Sequence, residues 1–503
     1  MDRRSRQILL IRPDYRSQGR ATGYPIGLAF LAAWLEKEGH RARILDLAGD
    51  SNWQTRLRQA LTDHAFGLAG ISCMSVQYAG ALETARQIRS MDPGLKIALG
   101  GAQPSCDPLE TLSHPCVDFI VAGEGEIPLV RLLESGPSFE GLETIGGIGY
   151  KRNGQSFLNP PPAERVDLNQ IPFPAYHLLD LPRYFRQEIP GFAPKKKPAI
   201  QIFTSRGCPY HCIYCHDIFG KAFRQRSPDH ILAEMRFLYE THGVREFLIY
   251  DDNFTMNMPV AKEVCRRILA SGMDIALQFP NGIRADRTDR ELIDLLSRAG
   301  THSMAIGIES GSPRVQKLIR KGLQLDKVEQ CIRWARQAGI TTSGFFMIGF
   351  PTETRQEIHE TIRFARHSDL DHALVSIATP YPGTELAAMV REKGYRTHMD
   401  PQNLDIMAPH IRTEQFSFRR IKWYHLKTYL SFYSRPRRLA KMMASWRNPA
   451  VFFKYMRGLN KYLFQNLGYT LKISRAADPR GEAAGCSCLP GGESRTLAGN
   501  RHE

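Results

Sequence analysis

The chain has 503 residues, of which 42% are hydrophobic and 23% charged, so it is too long for one hydrophobic core and is not a largely disordered protein. The net charge of +16 is concentrated between residues 412 and 475, where 15 Lys/Arg stand against the single acid Glu414, and it therefore does not indicate a nucleic-acid partner. Ten cysteines lack a paired framework, and no apolar run is as long as a signal-peptide core or a membrane-spanning helix, so we expect a cytoplasmic protein with reduced thiols.

Short apolar strands alternate with helices over residues 1–135. Strands are predicted at residues 8–11, 43–47, 68–73, 97–100 and 119–122. Helices are predicted over residues 25–38, with Gly39 just past the end, and over residues 78–91. This alternation is typical of an α/β fold, and we expect a doubly wound, Rossmann-like domain with a parallel sheet.

Small or polar residues follow three of these strands. They are Ser72 to Ser75, Gly100 with Gly101, and the run Gly123, Glu124, Gly125 and Glu126. Because open α/β sheets bind ligands outside the carboxyl ends of their strands, a large flat ligand could approach the backbone there. The alternative is that these glycines only turn the chain.

Residues 136–195 are rich in proline and lack periodicity, so a linker is predicted there. A second alternating series begins at Ala199. Its strands are predicted near residues 199–204, 245–250, 275–279, 303–308, 341–348 and 373–379, with helices between them. Six such units indicate a partial (β/α)6 barrel over residues 196–410.

After residue 410 the strand pattern stops. Residues 411–473 are predicted to form a basic, aromatic helical domain, and residues 474–503 have the composition of a disordered tail. The helical segment either caps the barrel with a solvated basic face or rests on an anionic membrane surface, which would make the protein peripheral to the inner membrane face. In the second case the substrate would be lipid-like.

Three cysteines stand close together directly after the first strand of the second series, in the sequence Cys208-Pro-Tyr-His-Cys212-Ile-Tyr-Cys215. Three thiolates can hold three irons of a cubane cluster and leave one iron open for a chelating molecule. A structural zinc site normally has four ligands, and His211 or His216 could complete such a shell. Zinc motifs usually pair two C-x-x-C knuckles, however, and the sequence offers no second knuckle, which favours the cluster.

With Tyr214 before its last cysteine, the motif resembles the signature of the radical S-adenosylmethionine (SAM) superfamily, and Tyr214 is therefore counted with the cofactor-binding residues. Polar residues also follow the later strands, where a parallel barrel carries its catalytic groups. They are Asp251 with Asp252, Arg284 with Asp286, Glu309, and Gly349-Phe350-Pro351. Taken singly, each could cap a helix or form a surface ion pair, but their joint placement favours a site.

The resemblance implies a role for each of these residues. Asp251 or Asp252 would hold the amino group of the methionine moiety of SAM. Glu309 would meet its ribose or carboxylate, with Arg284 as a further contact. The Gly-Phe-Pro stretch would lie on the adenine side.

The domain ahead of the barrel resembles that of the cobalamin-binding subclass of this superfamily. The resemblance rests on Pro25-Ile-Gly-Leu, Gly100-Gly101-Ala-Gln-Pro-Ser and Asp118-Phe-Ile-Val-Ala-Gly-Glu-Gly-Glu126. The Asp-x-His-x-x-Gly loop that supplies a lower axial histidine in some cobalamin proteins is absent, because Asp63-His64-Ala-Phe-Gly67 has the wrong spacing. Cobalamin is expected at the strand ends described above, with no lower ligand assigned.

Together these resemblances imply an enzyme with a 4Fe-4S cluster, SAM and cobalamin. An electron from the cluster, supplied by a donor such as flavodoxin or ferredoxin, would cleave SAM, and the 5′-deoxyadenosyl radical would take hydrogen from the substrate. Methylation of an unactivated carbon in a small molecule is the expected reaction. Ring-forming enzymes such as the anaerobic Mg-protoporphyrin monomethyl ester cyclase, and enzymes acting on hopanoid lipids, share this architecture, so cyclisation or rearrangement is the alternative.

Overall fold

The apolar strands of the N-terminal part lie side by side in an open sheet. The computed structural model describes residues 7–14, 23–187, 193–397 and 406–440. In chain order, the first elements are β1 (Gln7–Arg12), α1 (Ile26–Lys37), β2 (Arg41–Asp46), α2 (Trp53–Asp63), β3 (Leu68–Ser72), α3 (Tyr78–Met91), β4 (Lys96–Gly100), α4 (Ala102–Cys106), α5 (Pro108–Ser113), β5 (Phe119–Val121), α6 (Glu126–Glu134), β6 (Ile148–Arg152), β7 (Gln155–Leu158) and α7 (Leu181–Phe185). Among the described strands the order is β2-β1-β3-β4-β5-β6-β7, and β1 to β5 are parallel.

Helices cover this sheet on both faces, as the side chains of β1 illustrate. Ile8 and Leu10 belong to the apolar cluster that includes α1 and α6, whereas Leu9 and Ile11 belong to the cluster that includes α2 and α3. Successive side chains of a strand point to opposite faces, so a continuous apolar run needs a cover on each side. The predicted doubly wound, Rossmann-like domain is confirmed.

A β-hairpin occupies part of the segment that was predicted to be a linker. β6 pairs antiparallel with both β5 and β7, and the turn between β6 and β7 consists of Asn153 (φ 53°) and Gly154 (φ 77°). An Asn-Gly pair with two positive φ angles is the favoured two-residue hairpin turn. The linker prediction for residues 136–195 is therefore wrong for residues 148–158, because the flanking prolines concealed a short-range hairpin signal.

A second sheet follows, and it is entirely parallel. Its elements and their connections are β8 (Ala199–Ile202), β9 (Ser205–Arg206), β10 (Arg224–Gln225), α8 (Pro228–His242), β11 (Glu246–Ile249), α9 (Met258–Ser271), β12 (Ala276–Ile283), α10 (Arg290–Arg298), β13 (Thr301–Glu309), α11 (Pro313–Leu318), α12 (Leu325–Gln337), β14 (Thr341–Ile348), α13 (Arg355–His367), β15 (His372–Ile377), α14 (Glu385–Glu392), β16 (Arg396–Thr397), β17 (Ile411–Arg412) and α15 (Phe418–Tyr433). Within the described residues, six strands are neighbours in the order β8-β11-β12-β13-β14-β15. This arrangement confirms the predicted partial (β/α)6 barrel.

The free edge of β15 is covered by α15. The N–H of Val375 donates to Tyr429 Oη (3.0 Å), and the carbonyl of Val375 lies 2.8 Å from His425 Nε2. Burial lowers the pKa of His425 to about 4, so the imidazole is neutral and donates through Nε2. α15 thus satisfies backbone groups that an edge strand would leave unpaired.

The chain divides into two compact units, residues 1–435 and 436–503, and only residues 436–440 of the second are described. Most of the predicted helical domain beyond α15, and the predicted tail over residues 474–503, lie outside the described residues. Among the described helices, none has the length and apolar character needed to cross a bilayer.

Candidate active site

The three cysteines lie on the loop between β9 and β10, directly after the first barrel strand. This cysteine loop, residues 207–223, is framed by the antiparallel pairing of β9 with β10. Gly207 has a φ of +85°, and a Cβ at this position would lie 2.4 Å from the carbonyl oxygen of Ala222. Only glycine allows the chain to turn so closely before Cys208.

The middle of the cysteine loop is attached to the barrel. The N–H of Ile213 donates to Ile319 O (3.2 Å), and Ile213 O accepts from Leu386 N (2.8 Å). The Ile213 side chain is buried in an apolar cluster with Val315 and Phe350. Ile213, between Cys212 and Cys215, therefore fixes the loop against three later segments of the barrel.

The electrostatics of the thiols suit a cationic metal cluster. Desolvation, followed by repulsion from Cys212 and Asp252, raises the pKa of Cys215 to about 12, and desolvation also raises the pKa of Cys208. Positively charged irons would offset this repulsion between thiolates. In the described part of the chain, no three His, Cys, Asp or Glu side chains converge on a point where one ion could be held. A cubane binds each thiolate through a different iron, so it needs no such convergence.

The Arg284 guanidinium holds the cysteine loop rather than lying free for a ligand. It lies 3.6 Å from the centre of the Tyr210 ring, between Cys208 and Cys212. Its N–H groups donate to both carboxylate oxygens of Asp286 (3.0 and 2.8 Å) and to Lys321 O (3.1 Å). The ion-pair alternative is thus present in the structure, and the contact of Arg284 with the cofactor stays a prediction.

Asp251 and Asp252 have different surroundings. Asp251 is buried and accepts hydrogen bonds from Thr204 N (2.6 Å), Thr204 Oγ1 and Ser205 Oγ (2.7 Å). Burial raises the pKa of Asp251 to about 6. Asp252 accepts a hydrogen bond from the N–H of Gly207 at the start of the cysteine loop. Asp251 therefore holds the segment that leads to the loop, whereas Asp252 is exposed beside the start of the loop, so we expect Asp252 to be the residue of the two that meets a ligand.

Glu309, at the end of β13, forms an ion pair that sequence reasoning did not identify. Its Oε1 lies 2.6 Å from Lys321 Nζ, and each of the two side chains is only 10% exposed. Gly307 makes room for the pair, because a Cβ there would lie 2.7 Å from Lys321 Nζ. In the sequence, Arg320-Lys321-Gly322 resembles an ordinary solvated helix end, so nothing marks Lys321 as part of a site.

The Gly349-Phe350-Pro351 stretch follows β14 and lies against the cysteine loop. The Phe350 and Tyr214 rings are 6.0 Å apart. The N–H groups of Gly349 and Phe350 donate to Glu353 Oε2 (2.6 and 3.1 Å). Glu353 was not predicted, although a carboxyl group two residues after a Gly-x-Pro turn is a signal that could have suggested a bond back to the turn.

Glu353 provides a prediction about pH. Burial raises the pKa of its carboxyl to about 8, well above the value of about 4.3 in an unfolded chain. The contribution of the protonated Glu353 carboxyl to the stability of the folded chain is therefore fully present below about pH 4 and is lost as the pH rises through about 8.

The side chain of the Glu353→Gln variant cannot ionise, so the unfolding temperature of this variant should rise relative to that of wild type between about pH 5 and pH 9. Glu329→Gln, an exposed position on α12, is the control and should show no such trend. A Glu353→Gln profile parallel to that of wild type would contradict the prediction.

A cavity of about 320 Å³ lies at the carboxyl edge of the first sheet. It adjoins the ends of β1 and β3, where the strand order reverses and ligands of such sheets bind. Of the predicted cobalamin contacts, those lining it are Ser72, Gly100, Gly101, Gly123 and Glu124. Ser75 is not among the lining residues and instead begins a short 3-10 turn. A Cβ at Gly101 would lie 2.7 Å from Cys73 O, so only glycine allows this close turn, and the glycines that line the cavity present bare backbone to a large planar group.

Glu124 joins the first sheet to the β9–β10 pair and does not offer a free carboxylate to the cavity. Its carboxylate accepts from Arg206 (2.8 Å) and from Arg224, which belong to β9 and β10. Arg206 also pairs with Glu126 (2.8 Å). The charge of Glu124 is thus matched by the strands that frame the cysteine loop, and its contact with cobalamin stays a prediction.

A second cavity, of about 390 Å³, shares a wall with the first. Both are lined by Gly123, Glu124, Glu126 and Ile218. The second cavity also reaches Asp217, two residues after Cys215, and Leu158 and Pro162 of the hairpin segment. Its volume is in the range of small-molecule sites.

Two family models match the chain. The model of the radical SAM superfamily matches residues 202–365, and that of the B12 binding domain matches residues 17–133. The first match includes the cysteine loop and most of the barrel, and the second includes the sheet that carries the glycine-lined cavity.

Similar proteins extend over most of the chain. An uncharacterized methyltransferase of Pyrococcus horikoshii is 29% identical over 466 residues, which cover 91% of this chain and 99% of that protein. Cytidylyl-2-hydroxyethylphosphonate methyltransferase of Streptomyces wedmorensis is 29% identical over 454 residues, covering 80% of this chain and 84% of that enzyme.

A solved structure has the same arrangement of domains. OxsB, a cobalamin-dependent S-adenosylmethionine radical enzyme with aqua-cobalamin bound, matches with a TM-score of 0.71 and 18% identity, over 93% of this chain and 76% of that one. At this identity the likeness concerns the fold. The chain therefore contains a radical SAM domain over residues 202–365 and, ahead of it, a B12-binding domain over residues 17–133, and these domains imply a 4Fe-4S cluster, SAM and cobalamin as its cofactors.

Proposed function

We propose that this enzyme transfers a methyl group to an unactivated carbon of a small-molecule substrate. The observation that carries the proposal is the contact between the two cofactor regions. Arg206 lines the glycine-rich cavity, binds Glu124 and Glu126 at its edge, and lies two residues before Cys208. A carbon activated near the cluster would thus lie beside the cobalamin region.

The cofactors supply the difficult chemistry: the cluster and SAM provide a 5′-deoxyadenosyl radical, and cobalamin provides a methyl group for a carbon that has no lone pair with which to attack SAM. The chain supplies binding and orientation. Cys208, Cys212 and Cys215 would hold the cluster, Asp252 would bind the amino group of SAM, and the Gly349-Phe350-Pro351 turn would support its adenine.

The second cavity is the proposed place of the substrate. It lies between the cobalamin region and the end of the cysteine loop, and its apolar wall includes Leu158, Pro162 and Ile218. An electron donor such as flavodoxin or ferredoxin would reduce the cluster.

Contact with a lipid surface is a further part of the proposal. Trp423 and Leu430 are more than half exposed on α15, and Arg419 and Arg420 are exposed on the same helix. Aromatic and basic side chains on one helix favour an anionic membrane surface. The substrate would then be lipid-like.

Methyl transfer is favoured over cyclisation because both relatives described above carry methyltransferase names. The test is anaerobic reconstitution with iron, sulfide and cobalamin, followed by incubation with reductant and SAM labelled in its methyl group. We expect about four irons and about one cobalamin per chain, formation of 5′-deoxyadenosine, and label on the extracted cobalamin. 5′-Deoxyadenosine without label on the cobalamin would favour a cyclase or rearrangement enzyme, and zinc without iron would overturn both.

A further inference from the structure

Lys221 lies near the end of the cysteine loop, and its side chain reaches back to the start of that loop. Its Nζ donates to the carbonyl oxygen of Tyr210 (2.9 Å), a residue between the first two cysteines. The chain turns at Gly220 (φ 72°), and the carbonyl oxygen of Phe219 accepts a hydrogen bond from Arg165 Nη1 (2.9 Å). These contacts hold the Lys221 ammonium against the backbone that carries the cysteines.

The ammonium lies within electrostatic reach of the thiols. Burial raises the pKa of the Cys208 and Cys215 thiols, and the positive charge of Lys221 acts on both in the opposite direction. The negative charge of Asp252 adds to the effect of burial on both thiols. Lys221 Nζ lies 3.6 Å from Asp217 Oδ2, and the two side chains are 31% and 41% exposed, so this ion pair is partly hydrated. Lys221 is thus a cation among thiols and carboxylates.

Two other cations contact Tyr210, and both differ from Lys221. The Arg284 guanidinium lies on the Tyr210 ring and donates to both carboxylate oxygens of Asp286, so its charge is largely matched. Arg287 Nε donates to Tyr210 Oη (3.0 Å), at the far end of the side chain from the loop backbone. Lys221 is therefore the one of these three cations that donates to the backbone between the first two cysteines.

The charge of Lys221 bears on the redox state of the cluster. Three thiolates outweigh the positive charge of an oxidised 4Fe-4S core, and the electron that reduces the core adds a further negative charge. A fixed cation nearby favours the more negative of the two states. We propose that the Lys221 ammonium favours the reduced cluster and so eases electron transfer from the donor. This inference rests on the proposed function, in which the three cysteines hold the cluster. Lys221 is a positioning residue in this role, because it acts through the cysteine loop.

The test is a redox titration of the reconstituted holoenzyme without SAM, followed by the electron paramagnetic resonance signal of the reduced cluster. Lys221→Gln keeps a hydrogen-bond donor and removes the charge, whereas Lys221→Arg keeps the charge. At the potential that reduces half of the wild-type clusters, the ratio of reduced to oxidised cluster in Lys221→Gln should fall by about twofold or more, the effect of a unit charge about 10 Å away. Lys221→Arg should titrate as wild type does. Lys327→Gln, an exposed position on α12, is the matched control and should also leave the ratio unchanged.

The ratio is taken over the clusters that each variant binds, so it does not depend on how completely a variant is loaded with iron. An unchanged ratio in Lys221→Gln would overturn the inference. So would equal losses in Lys221→Gln and Lys221→Arg, because Lys221 would then only shape the loop. If the wild-type chain binds no cluster that can be reduced, the proposed function fails; a wild-type cluster that titrates beside an unaffected Lys221→Gln variant defeats this inference alone.

Discussion

Cys212→Ala is expected to abolish the formation of 5′-deoxyadenosine. The loop needs three thiolates to hold three irons and to present the fourth to SAM, and a cluster that loses one thiolate cannot keep the open iron in place. The backbone anchors of the loop at Ile213 do not involve the side chain of Cys212, so the fold should survive the change. Iron content after anaerobic reconstitution and 5′-deoxyadenosine by liquid chromatography are the measurements.

Cys265→Ala is the control for this experiment. Cys265 is buried on α9, outside the cysteine loop, and its replacement removes one sulfur from the core. That variant should bind iron and cleave SAM as wild type does, with a modest loss of stability. Wild-type rates of SAM cleavage in Cys212→Ala would count against the assignment of the cluster.

Arg206→Met should loosen the connection between the first sheet and the cysteine loop. The Arg206 side chain is 10% exposed and pairs with Glu124 and Glu126, which are 15% and 4% exposed. Removing one partner of a buried ion pair leaves uncompensated charge and costs about 3–5 kcal/mol of unfolding free energy. Methionine removes the guanidinium from the Phe30 and Phe219 rings as well, so the loss combines the ion pairs with these cation–π contacts.

Denaturant unfolding and titration with cobalamin are the measurements for Arg206→Met. Because Arg206 also lines the glycine-rich cavity, affinity for cobalamin should fall together with stability. Arg152→Met is the matched control, since Arg152 pairs with Glu143 on the surface, where the side chains are 51% and 54% exposed. That change should leave the free energy of unfolding nearly unchanged and leave cobalamin binding intact. Equal losses in the two variants would contradict the structural role given to Arg206.

The order of the elements and the cysteine spacing could be predicted because both depend on residues that are close in sequence. A continuous apolar run such as residues 8–11 already requires helices on both faces of its sheet, and the repeated alternation requires parallel strands. The three cysteines lie within eight residues, so their suitability for a cluster needs no distant partner. The signal for the hairpin of residues 148–158 is equally local, in its Asn-Gly turn, but the prolines around it favour a linker in the sequence.

The roles of individual side chains were decided by tertiary contacts. Asp251 and Asp252 are adjacent and identical in type. Thr204 and Ser205, which lie 47 and 46 residues earlier in the chain, donate hydrogen bonds to Asp251, and these bonds give it a structural role. The carboxylate of Glu124 accepts a hydrogen bond from Arg206, which lies 82 residues later in the chain. A partner this distant cannot be identified from the residues near Glu124 in the sequence. Lys321 reaches Glu309 only because the chain turns sharply before it.

The sequence by itself thus determined the two-sheet architecture, the cluster motif and the class of chemistry, since local periodicity and spacing carry that information. Only the tertiary structure decided which charged groups at the strand ends are already paired and which can meet a ligand. The physical reason is that the state of a charged group depends on its desolvation and on its nearest opposite charge, and the folded chain brings those together from distant segments.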